Sequence, residues 1–144
     1  MATIQPYLFF GGRCEDALAF YKAALGATVD MVMRFNESPQ PVPVNKLATG
    51  FETKIMHSQF HVADNVIMAS DGTDATRNFA GFSLCLSFES EAEVDRAFKA
   101  LSSGGKVVMP LAKTFYSERY GMLTDPFGVN WMVMVRTNGS NSRT

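Results

Sequence analysis

The sequence predicts an α+β protein in which the order strand, helix, strand, strand, strand occurs twice. Three observations lead to this fold class. Two segments with apolar residues at helical spacing, residues 13–25 and 90–101, each follow a strand candidate. Each is followed by three further strand candidates, the last two of which can form a hairpin. The tripeptides Tyr21-Lys22-Ala23 and Phe98-Lys99-Ala100 also have similar sequences at an offset of 77 positions.

In the first half, Gly26 stands where a helix-terminating glycine is expected. Residues 36–50 contain three prolines, which excludes a helix interior or a central strand, and their role as a lid, a dimer contact or a disordered segment stays open. A tight turn is expected at Asp64-Asn65, because Asp and Asn accept positive φ. The predicted elements are a strand at residues 3–10, a helix at 13–25, and strands at 27–35, 54–62 and 65–70.

In the second half, Ser90 and Glu93 form a capping-box pattern that starts a helix, and Gly104-Gly105 ends it. The tetrad Asp125-Pro126-Phe127-Gly128 predicts a type I turn inside a closing hairpin. The predicted elements are a strand at residues 81–88, a helix at 90–101, a short strand at 106–109, a loop at 110–117 and the hairpin at 121–135. We therefore expect one domain over residues 1–137, with modules at 3–71 and 80–135, and a disordered tail at 138–144.

Composition excludes several classes of protein. The net charge of −1 provides no basic field for nucleic acid or an acidic membrane surface. The two cysteines, Cys14 and Cys85, do not form a disulfide framework and suit a reducing cytosol. The N-terminus lacks a signal-peptide pattern, and no apolar run is long enough to span a membrane. We therefore expect a cytoplasmic protein.

Several short motifs together resemble a known family. These are Pro6-Tyr7-Leu8-Phe9-Phe10, Phe20-Tyr21, Leu25-Gly26, Met68-Ala69-Ser70-Asp71, Tyr120-Gly121, Asp125-Pro126-Phe127-Gly128 and Trp131. Over residues 3 to 135 the chain resembles the PhnB-like branch of the vicinal-oxygen-chelate superfamily, which includes glyoxalase I, extradiol dioxygenases and bleomycin-resistance proteins. The resemblance implies two βαβββ modules that form a cup-shaped, barrel-like sheet with helices outside, a small-molecule ligand inside, and a homodimer.

Some PhnB-like proteins have a name resembling demethylubiquinone methyltransferase. Nothing in this sequence supports methyl transfer, because no glycine-rich loop follows a strand with a carboxylate further along for a nucleotide ribose.

The resemblance also implies where a metal would bind. Superfamily enzymes hold a divalent ion with His, Glu or Gln on the first and last strands of each module, and these positions correspond here to Pro6, Met68, Ser83 and Met132. None is a ligand suited to Mn, Fe, Ni or Zn, apart from the weak hydroxyl of Ser83. A one-residue slip would add Gln5 alone. We therefore expect no metal and no other cofactor.

Strand alternation predicts which side chains of the first module face the ligand. With a turn at Asp64-Asn65, His61 pairs with Met68 and Gln59 with Ser70. His57, Gln59, His61, Met68 and Ser70 would then line the cup. The two histidines are candidates for a general acid or base, although a rim histidine with one hydrogen bond is the simpler interpretation, and the catalytic residues stay unassigned.

In the second module, placing Thr124 opposite Val129 pairs Arg119 with Met134. Trp131 is then directed to the core, while the cup receives Arg119, Asn130, Met132 and Met134. Arg119 could bind a carboxylate or phosphate through its guanidinium, or form a surface ion pair. Phe115 and Tyr116 could act as a lid. The candidate ligand-binding residues of both modules are Gln59, Met68, Ser70, Tyr116, Arg119, Asn130 and Met132.

Three functions are compatible with these features. The first is a metal-free protein that binds a small organic molecule in an apolar cup, either to sequester it or to act on it as an enzyme. The second is a metal-dependent lyase, isomerase or dioxygenase with shifted ligands such as Gln5, His57 or His61. The third is a scaffold whose cup is filled by its own side chains. The fold class alone does not identify the ligand or show that a reaction occurs.

Overall fold

A computed structural model describes residues 1–137, apart from the side chain of Val44, and the tail predicted at residues 138–144 lies outside this range. The chain forms two compact units, which divide after Asn78. Each unit contains one α-helix and one four-stranded sheet with the order of elements β, α, β, β, β. The predicted α+β fold class and its repeated βαβββ plan are therefore confirmed.

Unit 1 has the strand order β1-β4-β3-β2, in which β1 and β4 are parallel and the other neighbours are antiparallel. The proline-containing segment contains short 3-10 turns and no strand, as its prolines require. The elements are β1 (Tyr7–Phe9), α1 (Cys14–Leu25), β2 (Thr28–Arg34), β3 (Ile55–Val62) and β4 (Asn65–Ser70), with 3-10 turns at Phe35–Glu37, Val44–Lys46 and Phe51–Thr53.

Unit 2 repeats this topology with the order β5-β8-β7-β6. Residues 110–112, which were predicted to be a loop, extend β6 instead; β6 is an edge strand of this sheet, where a proline such as Pro110 costs no ladder hydrogen bond. The elements are β5 (Leu84–Phe88), α2 (Glu91–Ser102), β6 (Lys106–Ala112), β7 (Tyr120–Thr124) and β8 (Asn130–Val135). No helix among residues 1–137 is both long and apolar enough to cross a lipid bilayer.

The two helices begin in different ways. The N-terminus of α2 contains half of the predicted capping box. The Glu93 amide donates to the Ser90 hydroxyl at 3.3 Å, but the Glu93 carboxylate accepts from that hydroxyl at 2.9 Å, where the pattern predicts the Ser90 amide. The residue before α1 makes no side-chain cap. Instead, one carboxylate oxygen of the buried Asp71, which directly follows β4, accepts hydrogen bonds from the amides of Gly12 and Cys14, both at 2.8 Å. A cap for α1 is therefore supplied from 57 residues further along the chain.

The predicted register of the first hairpin was wrong by two residues. The turn lies at Ala63-Asp64, where Ala63 has a φ of 52°, and Val62 pairs with Asn65. Gln59 is consequently opposite Met68, not Ser70. Because strand side chains alternate with a period of two, a shift of two residues leaves every side chain on its predicted face.

The predicted register of the closing hairpin was wrong by one residue. The Asp125–Gly128 turn forms, with the Gly128 amide donating to the Asp125 carbonyl at 3.0 Å, but Val129 also belongs to the connection and Thr124 pairs with Asn130. Tyr120 is therefore opposite Met134. A shift of one residue reverses the face on which a side chain lies, and this removes Arg119 from the predicted ligand face.

The core of unit 2 contains Trp131 as predicted. Its ring is 4% exposed, and its Nε1 donates to Asp125 Oδ2 at 2.9 Å. The other oxygen of Asp125 accepts from the amides of Phe127 and Val129 at 2.8 and 3.1 Å. One buried carboxylate thus connects the turn to the strand that follows it.

Candidate functional site

Each sheet has one face covered by its own helix and an opposite face that we call the open face. In unit 1, Phe60 of β3 packs on Tyr21 of α1 with ring centroids 5.7 Å apart, so its neighbours His57, Gln59 and His61 lie on the open face. In unit 2, Gly121 of β7 lies against Phe98 of α2, so Met122 lies on the open face. Met68 and Met132 also lie on the open faces, because each lies between two buried residues of its strand, β4 or β8, whose side chains point to the opposite face.

A pocket of about 460 Å³ lies in unit 2. It is within the size range of small-molecule sites and is mainly apolar. Its walls include Phe82 and Val108, whose side chains are about half exposed. The residues that line it are Gly81, Phe82, Ser83, Val108, Met122, Leu123, Asn130 and Met132.

Asn130 organises one end of this pocket. Its Nδ2 donates to the Phe79 carbonyl at 2.8 Å, and its Oδ1 accepts from the Thr124 hydroxyl at 2.8 Å. The Phe82 carbonyl lies 3.5 Å from the same Nδ2. Asn130 therefore fixes the segment that leads to Phe82, and Ser83 adds a hydroxyl to the lining.

The other end of the open face of unit 2 is aromatic. Tyr116 packs edge-on against Tyr120 with ring centroids 5.4 Å apart, while Phe115 is fully exposed. Burial raises the pKa of the Tyr120 phenol, and the hydrogen bond with Tyr116 raises it further. Tyr116 is thus packed against the sheet next to the pocket lining, and the lid role predicted for it stays a prediction.

Cys85 lies beside this aromatic end, on the same face as Met132, with its Sγ 3.8 Å from Met134 Sδ. It is exposed, whereas Cys14 of α1 is buried. Burial raises the pKa of the Cys14 thiol from its ordinary value of 9.0 to about 12, with smaller contributions from the charges of Asp71 and Glu15.

We expect native protein at pH 8 to react at one thiol with iodoacetamide, because a thiolate is the nucleophile and Cys14 is neutral and inaccessible at that pH. Peptide mass spectrometry should find the label on Cys85, and both cysteines should react in urea. Because the folded pKa of Cys14 is raised, its neutral form contributes stability that is complete below pH 9 and is lost as the pH rises towards 12. Labelling of Cys14 in native protein at pH 8 would contradict the buried assignment.

On the open face of unit 1, Tyr7 forms a pair with His57. The phenol oxygen is 2.8 Å from His57 Nδ1, and the two rings stack with centroids 5.6 Å apart. The half-exposed ring of Phe9 lies 5.0 Å from that of Tyr7. Gln59 and Met68 are directly opposite each other in the ladder next to this group.

His61 forms a second pair, with Asp30 of β2. Its Nδ1 is 2.9 and 3.1 Å from the two carboxylate oxygens, and Gln59 Nε2 lies 3.5 Å from the second of these. The pairing register shifts between Val29 and Met31, so Asp30 is the extra residue of a bulge. Bulges redirect side chains, and this one brings Asp30 to His61. Sequence reasoning missed Asp30 because alternation alone does not reveal a bulge.

Two of the predicted ligand-binding residues have other partners. Ser70 is buried; its hydroxyl accepts from the Gly72 amide at 2.9 Å and lies 3.3 Å from the Ile55 carbonyl. Arg119 donates from Nε to Asp95 of α2, which places it on the helix side of the sheet. A surface ion pair, the alternative interpretation of Arg119, is the one that the structure contains.

The positions that the superfamily uses for a metal do not fit a hard divalent ion here. Two of these positions, Met68 and Met132, are opposite Tyr7 of β1 and Cys85 of β5, so the side chains that face each other there are a phenol, a thiol and two thioethers. Hard divalent ions prefer carboxylate and carbonyl oxygens. Among residues 1–137, no group of three or more His, Cys, Asp or Glu side chains is arranged to bind a metal.

The two βαβββ units, each with an open sheet face, have the fold of the vicinal-oxygen-chelate superfamily. A family model described as 3-demethylubiquinone-9 3-methyltransferase matches residues 2–134, and the chain belongs to this PhnB-like family. The resemblance identified from the sequence is therefore confirmed.

Individual relatives agree with this assignment. The chain is 34% identical over 138 residues to protein YjdN of Escherichia coli strain K12, covering 92% of this chain and 94% of YjdN. It is 39% identical to protein PA1353 from Pseudomonas aeruginosa, whose crystal structure matches with a TM-score of 0.82 over 94% of this chain and 98% of that one. The PhnB protein from Bacillus cereus is 25% identical, with a TM-score of 0.77 over 94% and 100% of the two chains.

Proposed function

We propose that this protein binds a small, mainly apolar organic molecule in the pocket of unit 2 without a divalent metal. The observation that carries the proposal is the pocket itself, in which Met122 and Met132 form an adaptable apolar wall beside Phe82 and Val108. Phe82 and Val108 are 45% and 54% exposed. Large apolar side chains that line a concave, exposed surface favour a ligand site over a filled scaffold.

The chemistry of the lining favours binding or sequestration over a metal-dependent reaction. The pocket contains a hydroxyl and an amide but no carboxylate, imidazole or ammonium group. The metal-dependent alternative would need Gln5, His57 or His61, and the Nδ1 atoms of the two histidines already face Tyr7 and Asp30. A methyltransferase activity, as in the family description, would require a nucleotide-binding loop, and the sequence has no G-x-G-x-x-G segment.

The test uses the fluorescent apolar dye 1-anilinonaphthalene-8-sulfonate, which increases its emission in apolar sites. We expect saturable binding to wild-type protein and a loss of affinity of at least about tenfold in Met132→Glu, because a carboxylate in the pocket must be desolvated and repels the anionic dye. Met31→Glu, at an exposed methionine of unit 1, is the matched control and should bind as wild type does.

Equal dye affinity in Met132→Glu and wild-type protein would contradict binding in this pocket. Untagged protein should also be analysed for metals. Stoichiometric Mn, Fe, Ni or Zn that is lost in His57→Ala or His61→Ala would support the metal-dependent alternative. We also propose that the protein is cytoplasmic, because its two cysteines suit a reducing compartment, and that it is a homodimer, as the resemblance implies. Light scattering during gel filtration would measure its mass.

A further inference from the structure

The two histidines of the chain lie on the open face of β3 and have chemically different partners. His57 Nδ1 faces the phenol of Tyr7, and His61 Nδ1 faces the carboxylate of Asp30. In a neutral imidazole, the partner of one ring nitrogen determines which nitrogen carries the proton. A carboxylate favours a proton on the ring nitrogen that it faces, whereas a phenol also permits the other tautomer.

At His61 the partner can only accept a hydrogen bond. Asp30 brings both carboxylate oxygens to 2.9 and 3.1 Å from Nδ1, so this nitrogen carries the hydrogen and Nε2 carries the lone pair. Roughly a third of each of these two side chains is exposed, which leaves the pair accessible to a ligand.

At His57 the partner is a phenol, whose hydroxyl can donate a hydrogen bond as well as accept one. Burial raises the pKa of the Tyr7 phenol above its ordinary value of 10.0, so the phenol keeps its proton at neutral pH. The separation of 2.8 Å between the phenol oxygen and Nδ1 suits an O–H donor. With Nδ1 as the acceptor, the hydrogen of the neutral ring is on Nε2, and His57 presents an N–H to a ligand.

We propose that the open face of unit 1 is an acid–base site in which His61 Nε2 accepts a proton or hydrogen bond from a ligand and His57 Nε2–H donates a hydrogen bond to it. Asp30 and Tyr7 are the positioning residues. The ligand proton moves to His61 Nε2, the negative charge stays on the ligand, and His57 keeps its own proton. This site is separate from the pocket of unit 2 and does not depend on it.

The spacing of the histidines defines the ligand class. Four residues along a strand separate their Cα atoms by about 13 Å, so a ligand that contacts both imidazoles must be elongated, with a polar group at each end. Gln59 and Met68 lie opposite each other between the two histidines and provide an amide and an apolar contact. The site suits an elongated organic molecule with a hydroxyl at one end and a carbonyl or carboxylate at the other.

Nuclear magnetic resonance of the full chain labelled with ¹⁵N-histidine tests the tautomers directly. Because the chain contains only two histidines, His57→Gln and His61→Gln assign the spectrum without ambiguity. At a pH where both imidazoles are neutral, we expect His61 to be protonated at Nδ1 and His57 at Nε2. The same tautomer at both residues, or the reverse assignment, would overturn the proposal.

Carbethoxylation with diethyl pyrocarbonate tests reactivity, because this reagent acylates an imidazole nitrogen that has an accessible lone pair. We expect His61 to react about tenfold faster than His57, whose lone pair faces Tyr7, and Asp30→Asn to slow the reaction of His61 by about the same factor. Tyr7→Phe should accelerate His57 alone. Asp64→Asn, at an exposed carboxylate of the β3–β4 turn, is the control and should change neither rate.

Equal rates at the two histidines in wild-type protein, or an unchanged His61 rate in Asp30→Asn, would show that the partners do not set the roles proposed here. Either failure leaves dye binding in unit 2 unaffected, so the two proposals can be distinguished.

Discussion

Replacement of Asp71 by alanine should reduce the free energy of unfolding by about 3–5 kcal/mol, since three amides, two buried and one part-buried, lose their carboxylate acceptor and each orphaned donor costs about 1–3 kcal/mol. Two of these amides belong to Gly12 and Cys14 at the start of α1, and the third belongs to Ile55 at the start of β3, 2.9 Å from Asp71 Oδ2. The loss is a large part of the stability of an ordinary domain. Urea denaturation followed by circular dichroism would measure it.

Asp74→Ala is the matched control for this variant. Asp74 lies three residues after the buried Asp71, on an exposed part of the connection that follows β4. Hydrogen bonds from the side chain and, to a smaller extent, the backbone of Thr76 lower the pKa of its carboxyl. It is fully exposed, so its removal should leave the urea midpoint close to that of wild-type protein. Similar midpoints for Asp71→Ala and Asp74→Ala would show that Asp71 does not hold α1 and β3 together.

Replacement of Gly105 by alanine should have the second large effect, a loss of about 2–4 kcal/mol from overpacking against backbone that cannot move aside. A Cβ at this position would overlap the Thr124 carbonyl oxygen and would lie 2.9 and 3.0 Å from the carbonyl carbon and Cα of Asp125. Thr124 donates to Asn130, so the displacement should also weaken dye binding in the pocket. Urea denaturation and the dye titration measure the two consequences.

Ser103→Ala changes an exposed residue two positions earlier and serves as the control. It should retain dye affinity and most of the stability. If Gly105→Ala unfolds at the same urea concentration as this control, β6 and β7 approach each other less closely than the structure indicates.

Local patterns made parts of this fold predictable. The start of α2 depends on Ser90 and Glu93, three residues apart, and the hydrogen bond from the Glu93 amide to the Ser90 hydroxyl was predicted correctly from that spacing alone. The faces of β3 and β4 were also predicted correctly, although the turn was placed at Asp64-Asn65 and lies at Ala63-Asp64. Alanine rarely adopts positive φ, so the presence of Ala63 did not indicate a turn at this position.

The parts that could not be predicted depend on single-residue insertions and distant partners. Val129 adds one residue to the closing connection and reverses the face of Arg119, which pairs with Asp95 of α2. Asp30 became a partner of His61 only because a bulge interrupts β2. Both effects change side-chain direction without changing the apolar pattern from which strands are predicted.

The different origins of the two helix caps imply different dependence on the rest of the chain. The cap of α2 is complete within four consecutive residues, so this helix can gain its cap before any strand has paired. That of α1 requires Asp71, which reaches the helix only when the chain has closed a loop of 57 residues to Cys14. We therefore expect the N-terminal cap of α1 to form only once β4 lies beside β1, so that protection of the Gly12 and Cys14 amides reports the pairing of these two strands.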